Sequence, residues 1–117
     1  MLKIKRAYEP YKPSDGYRIL VDRLWPRGIA KADAHIDLWS KEVAPSSGLR
    51  KWFDHDPEKW AAFSKAYMIE LKHAEALDAL IDTIKEKKKV TLVFGAKDVQ
   101  HTHALILQQV ISKAINK

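Results

Sequence analysis

Two stretches of this sequence hold residue types that could do chemistry. The first is Asp22-Arg23-Leu24-Trp25-Pro26-Arg27-Gly28. Arginine carries a rigid donor fork that matches carboxylate and phosphate oxygens two at a time. Arg23 and Arg27 flank Trp25-Pro26, so a phosphate, sulfate or carboxylate suits the pair, and Trp25 offers a flat surface for a ring. The structural alternative has Arg23 paired with Asp22 or Asp98 and Trp25 filling the core. Asp22 could be a general base, a metal ligand or an arginine's partner, and the last role is preferred. The second stretch is Lys97-Asp98-Val99-Gln100-His101-Thr102-His103. Read as a helix N-terminus capped by Asp98, it offers free N–H groups and a favourable dipole to an anion. Histidine adds acid–base capacity. Helical residues two apart point about 200° from each other, so His101 and His103 would not share a metal. His103 is expected on the inward face with Leu107 and Val110, and His101 outward. No metal site and no cofactor are expected.

These stretches need elements that bring them together. Leu2-Lys3-Ile4-Lys5-Arg6 alternates as a short strand does, and the turn-rich segment from Glu9 to Gly16 follows it. Tyr17 to Asp22 is a compact β-rich run, apolar on consecutive positions 19 to 21, and Val90 to Phe94 is a second such run; both suit strands covered on both faces. His35 to Trp39 alternates as a third short strand would. Ser46 or Ser47 can cap a short helix with Leu49, Trp52 and Phe53 on one face. Asp56-Pro57 opens a helix with the stripe Trp60, Phe63, Tyr67, Leu71. Leu77, Leu80, Ile81 and Ile84 mark another helix, and Ala104, Leu107, Val110, Ile111 and Ala114 a last one. Strands alternating with helices imply a mostly parallel sheet of three or four strands in a small three-layer α/β domain. Ligands bind such sheets beyond the carboxyl ends of the strands. Arg6, Tyr8, Asp22, Arg23, Trp25, Arg27, Lys97, Asp98, His101 and His103 would then meet at one rim.

Composition narrows the classes. A chain of 117 residues with 46% hydrophobic content makes one domain, burying roughly two-thirds of its unfolded surface. It has no cysteine, which excludes disulfides, thiolate zinc sites and cysteine nucleophiles. No run approaches the roughly 20 apolar residues of a membrane span, and the basic start lacks a secretory h-region. A cytoplasmic protein with no membrane partner is the expectation. The glycines are too scattered for a phosphate-cradling loop. Five of the 21 basic residues are arginines, all within the first 50 positions, and the rest are lysines spread over helix surfaces. The arginines are weighted toward a site and the lysines toward solvation.

The strings Ile4-Lys5-Arg6-Ala7-Tyr8, Asp15 to Gly28, Ala44-Pro45-Ser46, Leu49 to Phe53, His55-Asp56-Pro57 and Trp60 together resemble the YeaO-like family, the domain-of-unknown-function group 488. Ala96-Lys97-Asp98 and His101-Thr102-His103-Ala104 are similar to its last motif. The resemblance covers nearly the whole chain and implies a small three-layer α/β domain. Longer relatives carry a Cys-His-Arg-like triplet where this chain has Thr102-His103-Ala104, so only the histidine is kept. The resulting expectation is a protein that binds a small anionic, phosphate- or nucleotide-like ligand at the rim. Arg6, Arg23 and Arg27 would hold the anion, Trp25 or Tyr8 would stack, and Asp22, Asp98 and His103 would orient these groups or exchange protons. The alternative is a nucleic-acid-associated or transcription-linked protein using the formal net charge of +6, although no helix-turn-helix is evident. An interaction module anchored on Trp39 or Trp52 is a third reading. Open sheet edges leave room for a dimer.

Overall fold

The computed structural model of the protein describes residues 2–116. Strand β1 spans Leu2–Arg6, β2 Tyr17–Leu20, β3 Leu38–Trp39 and β4 Val90–Phe94. Helix α1 is the single turn Lys31–Ala34. Four further helices follow: α2 Ser47–Phe53, α3 Trp60–Lys72, α4 Glu75–Glu86 and α5 His103–Ile115. The strands form one sheet in the order β1-β4-β2-β3, and every pairing is parallel. The expected α/β domain is therefore what the chain forms.

The apolar runs decide the order. Every residue of β4 is buried, as a central strand requires, and β4 inserts between β1 and β2. β1 lies at an edge, half-buried throughout, which is why its sequence alternates with lysine. Ile19, Val21, Leu92 and Phe94 point into the main core with Phe63, Tyr67, Leu80, Leu107 and Ile111 from the helices. The intervening positions face the other way. There Arg18, 2% exposed, donates to Asp15 at 2.6 Å and to the Ala34 carbonyl at 3.0 Å, and packs over Tyr11. The segment before β2 and the short α1 thus cover the second face. Asp15 also accepts from Lys5, and its carbonyl accepts from Thr91. Burial alone would push the Asp15 carboxyl up, but Lys5, the Lys12 N–H and Arg18 outweigh it and hold the pKa below the usual carboxylate value.

Several local expectations shift. Ser46, not Ser47, caps α2, accepting from the Leu49 N–H. Trp52 lies outside the shared face, 46% exposed beneath the Lys59 ammonium. Asp56 caps a 3-10 turn, Pro57–Lys59, that runs into α3 at Trp60. Asp98 does not cap the last helix. Its carboxylate accepts from the N–H groups of Gln100 and His101 in a separate turn, and Thr102 caps α5. Trp39 donates its indole N–H to the Asp22 carbonyl, joining β3 to the rim. Among the described residues no helix is long and apolar enough to cross a membrane.

A candidate binding site at the carboxyl rim of the sheet

Because β2 and β4 are parallel neighbours, the segments that leave them start side by side. Val21 continues the ladder by donating to the Val93 carbonyl, and Asp22 follows as the first residue off the sheet. Its Oδ2 accepts the Gly95 N–H at 2.8 Å, tying the two strand exits together. A Cβ at Gly95 would stand 3.1 Å from that oxygen, so any side chain there would push the Asp22 carboxylate back by a few tenths of an ångström. His103, at the first turn of α5, donates Nε2–H to the Val21 carbonyl at 3.0 Å and lies 3.4 Å from Asp22 Oδ1. That bond leaves Nδ1 with the lone pair. Asp22 Oδ1 is buried without a hydrogen bond.

The electrostatics follow from this burial. Desolvation pushes the Asp22 carboxyl up, against the pull of His103, the Gly95 N–H and the Arg50 guanidinium. Desolvation also pushes His103 down, more than Asp22 and the Val21 carbonyl pull it up, so the imidazole is held neutral. Tyr67 packs edge-on to His103, and burial raises its phenol beyond ordinary titration, with Glu70 and Asp22 adding to the effect. The Tyr67 hydroxyl donates to the Val43 carbonyl at 2.6 Å.

Above this floor opens a cavity of about 290 Å³. One wall is the β2 exit, Asp22 to Pro26, and the facing wall comes from Ala44-Pro45, α2 and α3. Glu70 of α3 fixes that second wall by accepting from both the N–H and the hydroxyl of Ser46, at 2.8 and 2.6 Å. Phe53 and Phe63 stack with centroids 4.3 Å apart and line the cavity. Arg50 projects from α2 into the same space. Its guanidinium makes no hydrogen bond or ion pair among the described residues, although its charge reaches Asp22.

Six of the ten residues expected at the site line this cavity: Tyr8, Asp22, Arg23, Trp25, His101 and His103. Arg23 also has structural work. Its Nε and Nη2 donate to the Pro45 and Ala44 carbonyls at 3.2 and 3.1 Å, pairing with neither Asp22 nor Asp98. Trp25 donates to the Ile29 carbonyl and meets Trp39 edge to face. His101 departs from its expected outward direction. It precedes the helix, packs edge-on against Trp60, and bonds Asp98 at 2.7 Å through Nδ1. That hydrogen bond, with the Gln100 N–H, holds the Asp98 carboxyl below its ordinary value.

Arg6, Arg27, Lys97 and Asp98 lie outside the cavity lining. Arg6 donates to the Ala96 carbonyl and covers the Tyr8 ring, so it supports the wall. Arg27 is exposed beyond the buried Pro26, and only its carbonyl takes part, accepting from the Tyr8 hydroxyl. Lys97 is exposed, and Asp98 serves His101. Arg50, one of the arginines weighted toward a site, enters from α2, and His55 enters from the turn that follows it. Phe53 and Phe63 read as core residues by spacing and proved to be both core and cavity wall. Among the described residues no three His, Asp or Glu side chains are grouped to hold a metal ion.

The family model described as the inactive DUF488-N3 subclade matches residues 1–117. The chain belongs to that subclade. Its sequence is 45% identical to uncharacterized protein YeaO of Escherichia coli strain K12 over 106 residues, covering 91% of this chain and 92% of YeaO. It is 40% identical over 111 residues to uncharacterized protein Mb3100c of Mycobacterium bovis, covering 95% and 93%. The same figures hold for uncharacterized protein Rv3073c of Mycobacterium tuberculosis. No solved structure matches. The YeaO-like resemblance seen in the motifs thus extends over the whole of this chain.

Proposed function

We propose that this DUF488-N3 member is a binding protein for a small anionic ligand, taken at the carboxyl rim of its sheet. One observation carries the reading: Arg50 presents an unpaired guanidinium to a cavity at the strand exits, where parallel sheets bind ligands. Arg23 supports it, because its Nη1 makes no hydrogen bond among the described residues while the rest of its fork is fixed on two carbonyls. Such a fork accepts phosphate or carboxylate alike. Binding without turnover agrees with the subclade's description as inactive and with a rim whose acid and imidazole lie next to no cysteine. The anion-holding role passes from Arg6 and Arg27 to Arg50 with Arg23.

Calorimetric titration of the full chain with inorganic phosphate, acetate and a duplex oligonucleotide, at low and moderate salt, tests this. A small anion should saturate one site with mild salt dependence, and Arg50→Ala should remove the signal. Binding of the oligonucleotide alone, with affinity falling steeply as counterions are released, would replace this reading with a surface role for the lysines.

A further inference from the structure

We infer that the rim cavity takes a compact monoanion with a flat ring, of the aromatic carboxylate kind, rather than a whole nucleotide. This inference rests on the anion-binding reading and adds the ligand's size, charge and body.

Size comes first. At about 290 Å³ the cavity lies at the small end of ligand pockets, which run from roughly 300 to 1,000 Å³. A six-membered ring bearing one acid group fits such a space. Charge comes second. The charged side chains lining the cavity are Arg23, Arg50 and the carboxylate of Asp22, with His55, His101 and His103 beside them. Two guanidiniums against one carboxylate leave one net positive charge from these groups. Two of Arg23's donors are already committed to carbonyls, so Arg50 is the free fork. A single carboxylate balances that net charge, whereas a phosphate dianion would exceed it by one beside the carboxylate of Asp22.

The body of the ligand follows from the walls. Leu24, Trp25 and Pro26 line one side, and Pro45, Phe53 and Phe63 the other. Aromatic and proline surfaces recruit a flat apolar ring by stacking and edge contacts. The acid pole and the apolar walls belong to one cavity, so the ligand carries both features on one small frame.

The test titrates the full chain with phenylacetate, acetate, benzyl alcohol, inorganic phosphate and adenosine monophosphate at one low salt concentration. Calorimetry reads affinity, and amide chemical shifts report the location. Phenylacetate should saturate one site at the rim at least tenfold more tightly than acetate, phosphate or the nucleotide, and benzyl alcohol should not bind measurably. Arg50→Ala should weaken phenylacetate tenfold or more, and Arg50→Lys should recover only part of the loss, because lysine lacks the fork. Both variants keep the fold, since the Arg50 side chain holds no other residue, and their amide spectra verify it. Phosphate or nucleotide binding at the rim as tightly as phenylacetate would overturn the aromatic monoanion and leave the anion-binding reading standing. Phenylacetate binding that ignores Arg50→Ala would overturn the assigned pole. Absence of any anion at the rim would overturn both.

Discussion

Arg23 and Arg50 line the same cavity, yet removing each should have a different consequence. Arg23 donates to the carbonyls of Pro45 and Ala44, both buried, and so clamps the strand exit to the segment leading into α2. Arg23→Ala leaves those two acceptors without their donors. Hydrogen bonds from a charged group contribute about 1.5–3 kcal/mol each. The bonds here are of ordinary length and the guanidinium is only half-buried, which discounts each to about 1–2 kcal/mol and the pair to about 2–4 kcal/mol. For a domain of this size that loss lowers the Tm by roughly 10 °C. Arg50→Ala removes an exposed side chain with no hydrogen bond, and surface changes of that kind stay within about 0.5 kcal/mol. Urea and thermal melts followed by circular dichroism read both variants. Arg23→Ala with an unchanged melting temperature would refute the clamp, and a large loss in Arg50→Ala would refute the view of Arg50 as a free ligand contact.

Further outcomes follow from the same contacts. Arg18→Ala strands the buried Asp15 with only Lys5 and backbone N–H partners, and should cost about 3 kcal/mol in urea melts; anion affinity, read by calorimetry, should not change, because Arg18 lies outside the cavity lining. Gly95→Ala places a Cβ 3.1 Å from Asp22 Oδ2 and should cost about 1–2 kcal/mol, with the Gly95-to-Asp22 hydrogen bond weakened in amide exchange. His103 has a folded pKa below its unfolded value of 6.5, so the unfolded chain takes up protons first and stability falls as pH drops from about 6.5 to the depressed folded pKa. His103→Gln, which keeps a donor for the Val21 carbonyl, should flatten that acid slope in urea melts between pH 7.5 and 5. Asp22, raised in the folded state, works with the opposite sign at lower pH, because the folded chain then binds the extra proton.

The rim was legible in the sequence wherever a strand announced its own end. Ile19 to Val21 and Leu92 to Phe94 are apolar on consecutive positions, so a parallel interior pair could be read directly. From that pair the meeting of Asp22, Gly95 and His103 follows. Arg50, His55, Phe53 and Phe63 were harder, because they reach the rim from helices whose placement depends on the Ser46–Glu70 and Tyr67–Val43 contacts between distant residues. No local spacing encodes those contacts. Arg27 misled because its type and its distance from Arg23 fit an anion site, while the buried Pro26 carries the chain past the cavity. Asp98 misled because two competing acceptor roles exist for an aspartate before a helix. It satisfied a turn of its own and left Thr102 to begin α5, which swung His101 into the cavity wall.

Amide chemical-shift mapping during titration of the full chain with a small anion tests the account most directly. Shifts that saturate together at Asp22, Arg50, Gly95, Ala96, Thr102 and His103 are the predicted result. Shifts gathered instead on the lysine-bearing end at Lys85, Lys87 and Ser112, where a second cavity of about 330 Å³ lies, would contradict it.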